Sequence, residues 1–536
     1  MKFFDPKSEF VLSLDGFETV TDELLESQAT AFLAKSALAM VEKIEAGEVV
    51  NTTAHPTESE DRAVDHYNHR MEASPVAGKS LADSIAQWNT IKTEIDAILD
   101  GKTTTPEGKR YTDVIFNGLG GSFLGPLMLV ISQYGDEFNF ESGLPVRIHF
   151  MSNTDPDTYH LLFNKLDVAT TVMVSMSKSG STAETKGATD AWTALVASTG
   201  LELGPHSMAV TTPGSMLDKF AQEHKFLGIY YMATETGGRT SIGTAIGMVP
   251  AAFARIDFAD FLRGQGHMDA MTRRPEIKQN PAMLLAVAIH QMTLMQGSKN
   301  MIVLCYSDFL KEFAHYLQQL YMESLGKNYH VDGTPAVEGQ TVFGGVGTGE
   351  QHAFMQQVQK GLRDCFVRFV HFAKRSGDLD NAKAGSVGRQ LLAFIKGTEA
   401  ALHQNGKEFI TCTYDEPTPF NIGMMVALEE RVVTFLACFK GINAYDQPGV
   451  QDGKLAADAM NTFSKDSEDF VAKAGFKGTA DDFVTAQGKA VSFETRLMAE
   501  AFLSDLTKNP ASYKALAGFK ASRQFVDGAF SYSVEK

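Results

Sequence analysis

Residues 177–182 read Ser-Lys-Ser-Gly-Ser-Thr, which places four hydroxyls, a lysine and a glycine in six positions. The stretch follows the apolar run TVMVSM and precedes AETKGATDAWTALV, so it joins a strand to the start of a helix. Such a junction handles anions: free backbone N–H groups and the helix dipole meet a phosphate, and hydroxyls add donors. Ser and Thr also cap helices with no ligand involved, but four hydroxyls and a lysine exceed what a cap needs. Phosphate binding by this turn is the expectation. It is not a nucleotide loop, because the GxxxxGK[ST] spacing is missing.

Two further stretches could serve the same ligand. Residues 118–126, GLGGSFLGP, make a glycine-rich strand-to-helix turn. The spacing does not fit the dinucleotide pattern GxGxxG, and no acidic residue closes a strand about twenty positions on. Two readings remain at this point: a tight turn that lets backbones pack closely, or a second site component with Gly121 and Ser122 facing the ligand. Residues 311–327, KEFAHYLQQLYMESLGK, read as an amphipathic helix with Phe313, Leu317, Leu320 and Ser324 on one face and Gln319, Glu323 and Lys327 on another. By itself the polar stripe is a solvated face with a weak Glu323–Lys327 ion pair.

The elements that must position these residues follow from periodicity. The first hundred residues are expected to be mostly helical, with LLESQATAFLAKSALAMVEKIEAG and SLADSIAQWNTIKTEIDAILDG as helices. From Tyr111 short apolar runs (TDVIFNG, VRIHFMS, TVMVSMS, SMAVTT, GIYYM) alternate with helical stretches, which implies a doubly wound parallel sheet. A charged helical connector near residues 255–279 leads to a second such unit built on NMIVLCYS, GQTVFGG, VRFVHFA and FITCTY. The fold class expected is α/β, two three-layer αβα units with helical terminal segments. The expected boundaries are 1–105 for the N-terminal segment, 106–280 and 281–455 for the α/β domains, and 456–536 for a helical C-terminal segment.

Composition narrows the function classes. A chain of 536 residues is too long for one core. Its 48 basic and 65 acidic residues give a net charge of −17, which argues against a nucleic-acid or membrane footprint and leaves room for a phosphate only in a local pocket of donors. No run of eighteen apolar residues occurs and the first residues carry acids, so a cytoplasmic protein is expected. Cys305, Cys365, Cys412 and Cys438 lie far apart in apolar surroundings and read as reduced thiols. His55, His66 and His69 do not make a convincing metal set.

Taken with GGRTSIGTAIG at 237–247, QQLYMESLGK at 318–327, GEQHAFMQQ at 349–357 and YDQPGVQDGK at 445–454, these stretches resemble the glucose-6-phosphate isomerase family. EDRAVDHYNHR and EPTPFNIGMMVALEE are similar to further family segments. The resemblance implies two sugar isomerase domains, each with a five-stranded parallel sheet. It implies a homodimer whose active sites are shared across subunits, and sugar phosphate substrates, glucose 6-phosphate and fructose 6-phosphate, with no metal or organic cofactor. By position it implies that Ser177, Ser179 and Thr182 bind phosphate with Lys178 beside them, and that Gly121 and Ser122 line the sugar site. It further implies that Arg239 lies near the reacting carbons, that Glu323 is the catalytic base, that His352 and Lys454 open the ring, and that Gln319 and Gln447 contact substrate. SKSGST in place of a threonine-rich loop, and Pro448 in place of tryptophan, depart from many members.

The chemistry suits these residue types. Aldose–ketose isomerisation moves one proton between adjacent carbons through an enediol, and a carboxylate can take and return it. A guanidinium stays charged when desolvated and can face the developing oxyanion. A histidine and a lysine supply proton transfer at the ring oxygen and anomeric hydroxyl. A sugar-phosphate sensor would need only the phosphate turn, so the presence of all four proton-transfer and charge-stabilising groups favours an enzyme. Mannose 6-phosphate stays open as a second substrate.

Overall fold

The computed structural model describes residues 1–55, 59–141, 143–295, 297, 299–526 and 528–536. It has two compact units, Met1–Asp446 and Gln447–Lys536. The first is built on two sheets. One has five parallel strands in the spatial order Arg147–Met151, Asp113–Asn117, Thr171–Met176, Ser207–Thr211, Gly228–Tyr231. Numbered along the chain this order is 2-1-3-4-5, so it reverses between Asp113–Asn117 and Thr171–Met176. In doubly wound sheets ligands bind beyond the carboxyl ends of the strands at that reversal. The two strands that flank it run into the glycine turn at 118–121 and the hydroxyl turn at 177–182.

The second sheet differs from the expected five parallel strands. Four are parallel, in the order Phe409–Tyr414, Cys365–Phe372, Asn300–Cys305, Thr341–Val346. The edge is extended by an antiparallel hairpin, Lys2–Asp5 and Phe10–Ser13, in which Leu12 pairs with Cys412. The start of the chain is therefore strand, not helix. Alternation explains it: Phe3, Phe10 and Leu12 are buried while Lys2 and Phe4 face out. The two expected N-terminal helices do form, as Gln28–Glu45, capped by Ser27, and Leu81–Leu99, opened by a Ser80–Asp83 capping box.

The supposed connector is a core helix. Phe258–Thr272 lies against Pro419–Lys440, a helix buried on all sides. Glycines let the backbones meet: a Cβ on Gly264 would stand 1.9 Å from Phe420 O, and one on Gly423 2.0 Å from Phe261 O. Arg255, Asp257, Arg263, Arg274, Glu276 and Lys278 of the segment are exposed, but one of its charges is paired inside. Asp269 is fully buried between Arg70 and Arg431, with 2.8 Å from Arg70 Nε and 3.1 Å from Arg431 Nε, and the Arg431 guanidinium lies 3.7 Å above the Tyr67 ring.

The second unit corrects the all-helical expectation for the tail. Helices Pro448–Ala474, Ala480–Ala486 and Phe493–Lys508 accompany a three-stranded antiparallel sheet in the order Phe476–Thr479, Ala529–Glu535, Lys520–Val526. Phe463, Val471, Phe483, Phe502, Leu503, Tyr532 and Val534 form its core. Among the described residues no helix is long and apolar enough to cross a membrane.

Candidate active site

The hydroxyl turn leaves the fully buried strand Thr171–Met176 and bends at Gly180, whose φ of +71° favours glycine and whose absent side chain admits Leu217 N. Ser177 Oγ accepts from Gly180 N at 3.1 Å and donates to Thr182 Oγ1 at 3.4 Å. Ser179 Oγ accepts from Ser181 N at 3.2 Å and lies 2.7 Å from Ser181 Oγ. Thr182 stands at the N-cap of helix Ala183–Ser198 but makes no side-chain capping bond. The hydroxyls of Ser177 and Ser179 thus bond within the turn, and Thr182 makes no side-chain capping bond to the helix. Lys178 donates to Thr236 O at 3.0 Å. Its ammonium is pushed down to about 8 by burial, with the nearby Arg62 charge adding to the effect.

Arg62 is a residue the motif reading passed over, although it lies in the quoted stretch EDRAVDHYNHR. Its Nη1 donates to Glu235 O at 2.7 Å, while Nε meets Glu60 Oε2 at the same distance. Lys178 and Arg62 therefore grip consecutive carbonyls, those of Thr236 and Glu235. The segment so held leads directly into the turn of helix Gly238–Gly243 that carries Arg239.

The glycine turn meets the same segment. Gly120, with φ of +53°, is the N-cap of helix Gly121–Tyr134, and a Cβ on it would approach Gln319 Nε2 to 2.8 Å. A Cβ on Gly121 would lie 1.8 Å from Gly238 O. Of the two readings of this turn, close backbone packing is realised at Gly121. Ser122 is half-buried in the first turn of the helix, its N bonded to Leu119 O at 3.0 Å.

Arg239 is 3% exposed, and four of its five N–H donors are engaged. Nε donates to Ser324 Oγ at 2.8 Å, Nη1 to Glu323 Oε2 at 3.3 Å, and Nη2 to Asp446 O at 3.2 Å and to Ala444 O. Burial pulls the guanidinium down from its ordinary value, against the opposing pull of Glu323 and Asp446. Glu323 and Ser324 sit near the end of helix Phe313–Leu325, whose apolar face, Phe313, Leu317 and Leu320, is buried as the spacing requires. The Glu323 side chain remains 26% exposed, and its Oε1 accepts from Gln319 Nε2 at 3.3 Å, one turn earlier. Lys327 departs from its expected place on the solvated stripe. It lies beyond the helix and is buried, with Nζ 2.6 Å from Asp446 Oδ1, so its ion pair is with Asp446 and its contact with Glu323 is to the main-chain O at 2.9 Å.

Gly121, Gln319, Arg239 and Glu323 are thus brought together, with Lys178 tied to the chain just before Arg239. His352 lies in the turn after helix Gly347–Glu350 and is exposed; its backbone N bonds Gly349 O at 3.0 Å. Among the described residues no hydrogen bond or ion pair joins its ring to this cluster. Gln447 is the residue before helix Pro448–Ala474 and Lys454 lies on that helix, exposed, both in the second compact unit. No group of three or more His, Cys, Asp or Glu among the described residues is placed to hold a metal ion.

The sequence pattern described as phosphoglucose isomerase matches residues 17–413. The chain belongs to the phosphoglucose isomerase family. A glucose-6-phosphate isomerase from Geobacter sulfurreducens is 34% identical over 502 residues, covering 92% of this chain and 91% of the relative. One from Thermosynechococcus vestitus is 35% identical, covering 85% and 84%. Among solved structures, a glucose-6-phosphate isomerase from Chlamydia trachomatis superposes with a TM-score of 0.76 at 25% identity, covering 85% of this chain and 89% of that one. The quoted stretches at 177–182, 237–247 and 318–327 all lie within the residues that the family pattern matches.

Proposed function

We propose that this chain interconverts glucose 6-phosphate and fructose 6-phosphate, as a cytosolic homodimer, in glycolysis and gluconeogenesis. The observation that carries the mechanism is the 3.3 Å approach of buried Arg239, on a segment tethered to the phosphate turn by Lys178, to the partly buried Glu323. Ser177, Ser179 and Thr182 receive the phosphate, with Lys178 supplying charge. Gly121 and Ser122 line the sugar, and Gln319 and Gln447 bind its hydroxyls. Glu323 removes the proton from C2 of the open-chain aldose and returns it to C1, and the reverse direction uses the same carboxylate. Arg239 faces the oxygen on which enediolate charge grows; held by four acceptors, it needs no reorganisation at that moment.

His352 and Lys454 open the ring as general acid and base, His352 reaching the site from the neighbouring subunit. The exposure of His352 supports that reading. The test is Glu323→Gln, assayed for isomerisation and for incorporation of solvent deuterium into product. Loss of both by about 10²-fold or more is expected, and near-parental exchange would remove Glu323 from the role.

A further inference from the structure

Lys327 follows Gly326, where the helix of Glu323 ends, and its side chain is 4% exposed. A buried ammonium needs an acceptor for each of its protons. Nζ donates to Glu323 O at 2.9 Å and to Asp446 O at 2.7 Å, and Asp446 Oδ1 stands 2.6 Å away as its ion-pair partner. The Glu323 carbonyl is one of the last in the helix, a group the helix itself leaves unbonded and which favours a cation.

Asp446 serves both cations of the site. Its main-chain O takes Arg239 Nη2 as well as Lys327 Nζ. Its Oδ2 accepts from Asn443 Nδ2 at 3.0 Å, and Asn443 in turn reaches Asn51 Oδ1 at 2.8 Å, so the aspartate is fixed from both ends. Glu323 is consequently held twice, its carboxylate by Arg239 and its backbone by Lys327, and both holders converge on one residue. The four charges also balance, with Glu323 facing Arg239 and Asp446 facing Lys327.

We propose that Lys327 and Asp446 are a positioning pair for the isomerisation, setting the distance and angle between the Arg239 guanidinium and the Glu323 carboxylate. The inference rests on the reading of Glu323 as the base and Arg239 as the oxyanion partner. Both side chains are buried, 4% and 5% exposed, so the pair acts through Arg239 and Glu323. Losing the pair frees Arg239 and the end of the helix to shift, and a displacement of about 1 Å at a reacting centre costs up to a hundredfold in rate.

The experiment uses the full chain with Lys327→Met and Asp446→Asn, assayed with glucose 6-phosphate and with its C2-deuterated form. Asp446→Asn keeps the main-chain acceptor and the side-chain shape, and decides the matter if Lys327→Met fails to give a cooperative thermal unfolding curve. The expected result is a fall in kcat of about tenfold to a hundredfold, KM within about threefold of the parent, and a larger C2 deuterium isotope effect on kcat, because proton transfer becomes slower relative to the other steps. A fall of less than tenfold in Asp446→Asn, or a fall with no rise in isotope effect, overturns the proposal. Glu323→Gln run beside them separates the two levels: if it loses activity while the pair variants stay parental, only the pair is wrong. If Glu323→Gln itself stays parental, the underlying reading fails first.

Discussion

Arg239 Nη1 and Glu323 Oε2 stand 3.3 Å apart, on segments 84 positions distant in sequence. The arginine is buried and bonded through all three nitrogens, whereas the carboxylate keeps an exposed edge. Fixing the cation and leaving the base open to a ligand is the asymmetry that proton transfer beside a developing oxyanion requires.

Arg239→Lys tests that asymmetry. The charge stays, but an ammonium cannot reach Ser324 Oγ, Glu323 Oε2 and the carbonyls of Ala444 and Asp446 together as the planar fork does. Steady-state kinetics should give a kcat lower by about 10²- to 10³-fold, with a smaller change in KM. A parental kcat would mean that a point charge is all the site needs.

Lys178 makes the charge of the turn at 177–182 sensitive to pH. Burial and Arg62 hold its ammonium down at about 8, so the free protein loses this charge as pH rises through that value. kcat/KM for the sugar phosphate, which reports the free enzyme, should therefore decline above about pH 8. In Lys178→Arg the guanidinium stays charged, and that limb should vanish from the profile. Persistence of the limb in the variant would assign it to another group.

Legibility in the sequence followed locality. The parallel strands and their helices were readable because β-branched runs and helical stretches carry their own periodicity. The N-terminal hairpin was not, since four-residue strands become strands only by pairing Leu12 with Cys412, far along the chain. The strand Lys520–Val526 is largely exposed and polar and lacks the apolar alternation that marks a half-buried strand. Lys327 looked solvated for a related reason: its burial depends on Asp446, 119 positions away. Glu323 and Arg239 stood out only through family motifs, because an isolated Glu or Arg carries no local sign of its partner.

Asp269→Asn should destabilise the first unit by about 3–5 kcal/mol, the range for breaking a buried ion pair. Arg70 would keep Glu430 and Arg431 would keep Glu45, but the carboxylate that neutralises both guanidiniums is lost. The Asp269 carboxyl is held well below its ordinary range by Arg431 and Arg70, which outweigh the cost of burial. Its stabilisation is therefore present above the unfolded value of 3.8 and is lost as pH falls toward the lower folded value. Urea unfolding of parent and variant should differ most near neutrality and converge on acidification. Glu430 works in the opposite sense: burial pushes it up to about 7, so ionising it costs stability as pH rises from 4.5 toward that value. Asp269 is one of the charges that raises Glu430, so Glu430 ionises more readily in Asp269→Asn than in the parent.

Gly121→Ala links fold to chemistry. A methyl there would stand 1.8 Å from Gly238 O and 3.0 Å from Arg239 N, a contact no rotamer relieves because both partners are backbone. The turn at 237–239 must retreat, and Arg239 moves with it. The helix Gly121–Tyr134 is otherwise undisturbed, and alanine suits a helix better than glycine does. The expected outcome is a fold that survives with a kcat reduced by about tenfold to a hundredfold, the cost of a displacement near 1 Å at a reacting group. Kinetics beside a thermal unfolding curve decide it. A parental kcat in Gly121→Ala would show that the distance from this turn to Arg239 does not govern the rate, and that the glycine serves packing alone.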